Sequence, residues 1–491
     1  MKPGRRKSAS EYPATGPDGV QPTEELSFGT EIVKDSGRSG SGARAVSTFN
    51  DRMALFLVAL VLVAPIPMGS NRPVPWMVWS FVLNLALVVQ IVTLSHLDPK
   101  RPLRSAAHRP LFIVGVSFGL FALLQIVPLG PFQSNGLMPE TISLVPRATI
   151  LGALRFASYG ALFMLILEVS TQATRIRRMA WILFFGLVAH AVWAMVSLTL
   201  FGDQFFWGEK TAYIGAATGT FINRNSFSTF MGMGLILGLC LTMERANRPH
   251  MRRPGRKNMA SQDLLETAVL WMCLMLIGLA LLASQSRMGV FATFLGALVA
   301  FVVMRSKGTG NSARAVLQAL GIGVLAVVAT IVLFGRALIE RSLFTVQNGE
   351  TRVELWRQTL GMIRERPWTG YGLDNFRAAF ELFHRPPLSG AVTWEYAHST
   401  YLTLWAEMGL IVGSLPLIAV MYISLRIVRV LRSRKNDYAI SVAAAGIVVL
   451  GAIHSLVDFS LEMEANVFLF LTILGMGAAQ LRRKRARSDG W

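Results

Sequence analysis

What most constrains this chain is a series of apolar runs, each long enough to cross a bilayer. The hydrocarbon core is about 30 Å thick and takes roughly 17–25 helical residues to span. Runs of that kind begin near Met53, Val74, Pro110, Ala148, Met179, Phe227, Leu264, Met288, Ala315, Ser399, Tyr438 and Ala465. Inside lipid the backbone must satisfy its own hydrogen bonds, so such runs fold as helices. The expectation is an all-α, polytopic integral membrane protein with about 12 transmembrane helices. Composition agrees: 53% of residues are hydrophobic and 15% are charged, where a soluble protein carries about a quarter charged. Cys240 and Cys273 lie within apolar runs and offer neither a disulfide framework nor metal spacing.

The net charge of +20 does not point to nucleic acid, because the basic residues are dealt out between apolar runs instead of sharing a face. With both ends placed in the cytoplasm, the even-numbered loops and the tails hold 34 of the 48 Lys and Arg, in keeping with the positive-inside rule. Those clusters read as topology anchors against anionic lipid. The layout expected is a disordered tail over 1–52, rich in Gly, Ser, Pro and Thr, then transmembrane helices 1–9 over 53–334. A long extracytoplasmic loop follows at 335–398, between spans 9 and 10. Helices 10–12 occupy 399–481 and a basic tail 482–491.

The loop at 335–398 carries eight Arg, no Lys and seven acidic residues. Arg presents a planar fork that grips phosphate or carboxylate through two hydrogen bonds, whereas Lys is a point charge. The same composition also describes a salt-bridged subdomain. A helical pattern opens at Gly349 and runs to Arg366, where Pro367, Gly370 and Gly372 stop it. Arg352 and Trp356 stand four apart on one face of it. Three further segments face the same boundary: Tyr396-Ala397-His398-Ser399 at the head of the tenth span, Ser284-Gln285-Ser286-Arg287, and Asn223-Arg224-Asn225-Ser226 at the head of the sixth. Each residue also has a structural reading. Arg287 could snorkel at a helix end, Arg352 could pair with Glu350 or Glu354, and His398 could simply mark a helix start.

The stretch "TRVELWRQTLGMIRERPWTGYGLDNF … YAHSTYLTLWAEMGLIVG" resembles the signature domain of the O-antigen ligase and O-antigen polymerase family. "GTFINRNSFSTFMGMG" and "SQSRMGVFATFLGAL" are similar to its upstream motifs, in the same order. One departure is His398-Ser399, where the family usually has His-Asn. The resemblance implies a glycosyltransferase of the bacterial inner membrane with its site facing the periplasm. Its donor would be a glycan on a polyprenyl (undecaprenyl) diphosphate. Its acceptor would be a lipid A–core sugar or a growing glycan, which leaves ligase and polymerase both open. Partners would be the bilayer and other polysaccharide-assembly membrane proteins. The chemistry implied is inverting, with no cofactor and no metal. Arg287 and Arg352 match the family's functional arginines and His398 its functional histidine, so these three are the catalytic expectation. Guanidinium groups suit a leaving diphosphate, and imidazole suits a general base.

Substrate-binding expectations are Arg224, Asn223, Asn225, Trp356, Tyr401, Arg155 and Glu407. The last two are charged groups inside spans, where charge is costly and suggests function; a structural pair is the alternative for Arg155. His190 reads as a satisfied core histidine, and Glu168 as solvated near a helix end. His454, Asp458, Glu462 and Glu464 fall at the outer end of the last two spans. The competing class is a twelve-span transporter or lipid-linked sugar flippase, for which internal repeats and broken helices near the midplane would be expected.

Overall fold

The computed structural model describes residues 40–99, 103–104, 108–130, 140–206, 208–247, 259–309, 318, 351–434 and 436–479. Helices make up most of it. In chain order they are α1 (Gly40–Val63), α2 (Pro73–Leu97), α3 (Arg109–Leu124), α4 (Pro146–Val169), α5 (Ala173–Thr199), α6 (Arg224–Asn247), α7 (Met259–Ala283) and α8 (Arg287–Thr309). Then come α9 (351–365), α10 (Phe376–Phe380), α11 (Thr400–Gly413), α12 (Leu415–Ser433), α13 (Ala439–His454) and α14 (Glu464–Ala478). A two-stranded hairpin, β1 (Gln204–Phe205) and β2 (Gly208–Glu209), lies between α5 and α6. Pro at the first or second position starts α2, α3, α4 and α12, where its missing N–H costs nothing.

Among the described residues, seven helices are long and apolar enough to cross a membrane, or eight if the bent pair α11–α12 is one span. That is fewer than the expected twelve. The runs from Pro110, Tyr438 and Ala465 form helices of 16, 16 and 15 residues, and the run from Ala315 lies outside the described residues. The first helix begins at Gly40 and not near Met53. Arg175 explains part of this: its guanidinium binds Asp51 at 2.7 Å and Ser47 O at 3.0 Å, anchoring the leading turns of α1 to α5. The rest of the expected tail, the basic tail from 482, and 335–350 of the long loop lie outside the described residues. Glu168 is 2% exposed, not solvated, and accepts from the Arg104 amide. His190 is satisfied by Leu62 O at 2.9 Å, as a core histidine should be.

At the centre stands α6. Its membrane window is 83% buried, against 28% for α2 and α7. Glycines let the backbones around it close up: a Cβ on Gly296 of α8 would lie 2.4 Å from Gly446 O of α13, and one on Gly232 would strike Thr293. Small residues at such crossings let packing do what hydrophobicity cannot do in lipid. The head of α6 is thereby fixed among α8, α13 and α14.

The segment 351–397 forms a unit with its own core of Leu355, Met362, Ile363, Tyr371, Phe376, Phe380 and Leu388. It docks on a kink within α11 at Gly409, ahead of the 71° bend between α11 and α12. Gly409 has φ +71 there, freeing backbone groups that the loop after α9 takes up. Tyr371 N donates to Ala406 O at 3.1 Å, Gly372 N to Glu407 O at 3.0 Å, and Leu410 N to Pro367 O at 2.7 Å. Gln125, at the end of α3, donates to Thr369 O and Glu407 O and accepts from Leu373 N.

Candidate active site

The helix ends that converge beside this unit carry most of the polar residues of the sequence motifs. Asn223 starts α6 by accepting the Asn225 amide at 2.7 Å on its side chain, an N-terminal cap of the ordinary kind. Ser286 does the same for α8 through Gly289 N at 3.3 Å. The two caps are tied together. Ser286 Oγ donates to Asn225 Oδ1 at 2.8 Å, and Asn225 Nδ2 donates to Asp458 Oδ2 at 2.6 Å. Asp458, 1% exposed, also accepts Ser460 Oγ at 2.5 Å. A buried carboxylate needs such donors, since leaving one unpaired costs several kcal/mol.

His398 faces this hub from the loop before α11. Its backbone sits at φ +51, a conformation uncommon outside glycine and worth reading as a sign of function when it occurs. Phe459 packs against its ring at 4.9 Å and Trp394 at 6.3 Å, both edge-on. Its Nδ1 is buried without a hydrogen-bond partner among the described residues. Burial pushes the imidazole down to about 4, opposed by the Asp458 charge and reinforced by Arg352. At neutral pH His398 is therefore an uncharged proton acceptor.

From α9, Arg352 reaches Val457 O at 3.4 Å and Trp356 Nε1 reaches Ala397 O at 3.1 Å. The shared face read from their spacing thus points both residues at the His398 and Asp458 segments. Arg224 lies over the Tyr213 ring at 5.4 Å. Burial raises the Tyr213 phenol, and Asp458, Arg224 and Arg352 all act on it. Arg287, the first residue of α8, follows the Ser286 cap directly and is exposed.

The remaining expected residues sit elsewhere. Tyr401 donates to Ala452 O at 2.9 Å. Glu407, 5% exposed, accepts Phe376 N at 3.0 Å and so caps α10. Arg155 binds Asp374 at 2.6 Å and faces Glu464 at 3.6 Å and the Trp76 ring at 5.6 Å. A guanidinium already facing two carboxylates is poorly placed to take a diphosphate, because the anion would meet both. Tyr396 joins the two clusters, stacked on Phe459 at 4.2 Å with its hydroxyl on Asn71. Near it Glu462 is pushed up to about 8 by burial, so at neutral pH it is a protonated acid.

Sequence reasoning left Asp458, Ser286 and Tyr213 off the site. Asp458 lies just past the end of α13 at His454, where the chain turns back toward Asn225. Among the described residues no cluster of three or more His, Cys, Asp or Glu is arranged to hold a metal ion. No curated protein matches the chain. The family model described as O-antigen ligase matches residues 272–417, which take in α8, Arg352 and His398, while Asn225 and Asp458 lie outside the match. The motifs, their convergence and this match agree: the chain is a multi-pass membrane protein carrying a domain of the O-antigen ligase family.

Proposed function

We propose that the chain transfers a glycan from a polyprenyl (undecaprenyl) diphosphate to an acceptor sugar hydroxyl at the periplasmic face of the inner membrane, as an O-antigen ligase or a polysaccharide polymerase. The observation that carries this reading is His398, whose Nδ1 has no hydrogen-bond partner among the described residues and whose imidazole feels the charges of both Asp458 and Arg352. The acceptor hydroxyl gives its proton to the imidazole as its oxygen bonds to the anomeric carbon. The bond from that carbon to the phosphate oxygen breaks with its electron pair, and the diphosphate leaves. Displacement from the opposite face inverts the centre. Arg352, Arg287 and Arg224 stabilise the charge that develops on the leaving group, where fixed donors act most strongly. Asp458 sustains the imidazolium formed in the step and holds Asn225 against Ser286.

The test is glycan transfer by the purified full-length chain from an undecaprenyl diphosphate-linked donor, with and without EDTA. Transfer that persists in EDTA is expected; its abolition would refute a metal-free step. Lipopolysaccharide from a deletion strain then separates the two acceptors: loss of all capped core marks a ligase, and a single-repeat band marks a polymerase.

The kink in α11 at Gly409 is a feature that a transporter would share. Its freed backbone groups, however, are bonded to the 367–373 loop and are not left lining a path for cargo. The polar residues of the sequence motifs gather near one end of the bundle.

A further inference from the structure

Between α5 and α6 the chain takes a long excursion over 200–223, and the hairpin within it does not point away from the bundle. It turns at Phe206, which stacks on Trp193 of α5 at 3.9 Å and 18°. Phe201 packs on the same indole at 6.1 Å. Trp193 precedes the end of α5 at Thr199 by six residues, about 9 Å back along the axis at 1.5 Å per residue. The tip therefore lies alongside the apolar section of α5. Leu200, Phe201, Phe206 and Ile214 are 74%, 57%, 54% and 77% exposed there.

This apolar edge is braced from behind. Ser197 Oγ donates to Gln204 O at 2.5 Å. The ammonium of Lys210, whose side chain is 2% exposed, donates to Asp203 at 2.6 Å and Ala216 O at 2.7 Å. The other Asp203 oxygen accepts Gly215 N at 2.7 Å. Gln285, two residues before Arg287, donates to Gly215 O at 2.8 Å, and Tyr213 stacks with Arg224. The loop thus presents exposed apolar side chains on one edge and adjoins the site arginines at its other end.

We infer that the 200–214 loop holds the hydrocarbon chain of the diphosphate-linked donor, so that Phe206, Phe201, Leu200 and Ile214 guide the tail while the arginines receive the diphosphate. The inference rests on the proposed function and assigns the donor's tail a subsite within it. An amphiphile with an anionic head and a long apolar tail matches both ends of the loop. Bulk phospholipid would require neither the bracing nor the link to Arg224.

The first experiment needs no turnover. The full-length chain in lipid nanodiscs is irradiated with a polyprenyl diphosphate that carries a diazirine on its chain. Labelling is expected within 200–214, displaced by undecaprenyl diphosphate and not by phosphatidylglycerol. Labelling elsewhere, or displaced equally by phosphatidylglycerol, overturns the inference. In the second experiment, Phe206→Ser combined with Ile214→Ser should raise KM for the undecaprenyl-linked donor about tenfold and leave KM for a donor on a short citronellyl chain unchanged. An equal rise for both donors overturns it. If the wild-type chain transfers glycan from neither donor, the glycosyltransferase reading fails, and the photolabelling still decides the tail contact.

Discussion

A histidine held uncharged by burial next to a carboxylate and a guanidinium is tuned by opposing neighbours, and each can be removed singly. His398→Ala should lower transfer roughly 100- to 10,000-fold and leave donor binding largely intact, because the base acts on the acceptor. Arg352→Lys should fail nearly as badly as Arg352→Ala, on the order of 100- to 1000-fold, since Lys keeps the charge and loses the fork. Arg364→Ala, on the exposed side of α9, should match wild type. Purified variants assayed at equal membrane levels decide this, and full activity in Arg352→Lys would refute a bidentate clamp. The pH profile follows from the same site. Because His398 is protonated only near 4, kcat/KM should stay flat from neutral pH down to about 5 and fall below it. Asp458 raises the imidazole, so Asp458→Asn should move that acid limb to lower pH, and a shift to higher pH would deny the coupling. Folding has the matching sign: a histidine held below its ordinary 6.5 favours the folded state above that pH, and that stability is lost as pH falls toward 4. Arg155 differs in kind. Arg155→Ala should destabilise the fold by about 3–5 kcal/mol, because Glu464 at 2% exposure loses its cation. Thermal unfolding in detergent, compared with turnover of the surviving protein, separates this from a binding defect.

Among the elements, the joint between the 351–397 unit and the broken helix is the least forgiving. Gly370 and Gly409 have φ of +63 and +71, and a Cβ on either would lie 2.3 Å from a carbonyl oxygen, Glu407 O or Trp368 O. Alanine at either position should lower unfolding temperature and membrane accumulation, with strain of about 1–3 kcal/mol plus the clash. Gly361→Ala in α9, where a Cβ meets nothing within 4 Å, should be neutral or stabilising by up to about 1 kcal/mol. Wild-type stability of Gly370→Ala would mean that the joint is soft. Much of this was legible in the sequence. Pro367, Gly370 and Gly372 announce the end of α9, and the four-residue spacing of Arg352 and Trp356 gives their common face. The partner of those glycines was not legible. Nothing local in Glu407-Met408-Gly409 distinguishes a break in a span from a continuous apolar helix, and Glu407 consequently reads as a site residue when its carboxylate caps α10.

For the whole molecule, the caps of α6 and α8, the start of α11 and the turn between α13 and α14 all meet at one end. The opposite end holds the pairs of Arg177 with Asp437 at 2.5 Å and Arg175 with Asp51 at 2.7 Å. If the first end is periplasmic, a cysteine at exposed Ser389 should react with an impermeant thiol reagent in outer-permeabilised cells. One at exposed Ser433, at the end of α12, should react only after lysis. The reverse pattern would invert the topology and move the site to the cytoplasm. Apolar run lengths, cap residues and helix breakers acted over a few neighbouring residues, so the sequence by itself determined that the chain is helical, lives in a membrane and brings its polar motifs to helix ends. Contacts across more than two hundred residues decided the rest. Asp458 reached Asn225 and Arg155 reached Asp374 because glycine-lined crossings set the helices at close range and the 351–397 unit filled the kink in α11. Which charge neutralises which, and therefore which arginine remains for a phosphate, is fixed by that packing and by no local pattern.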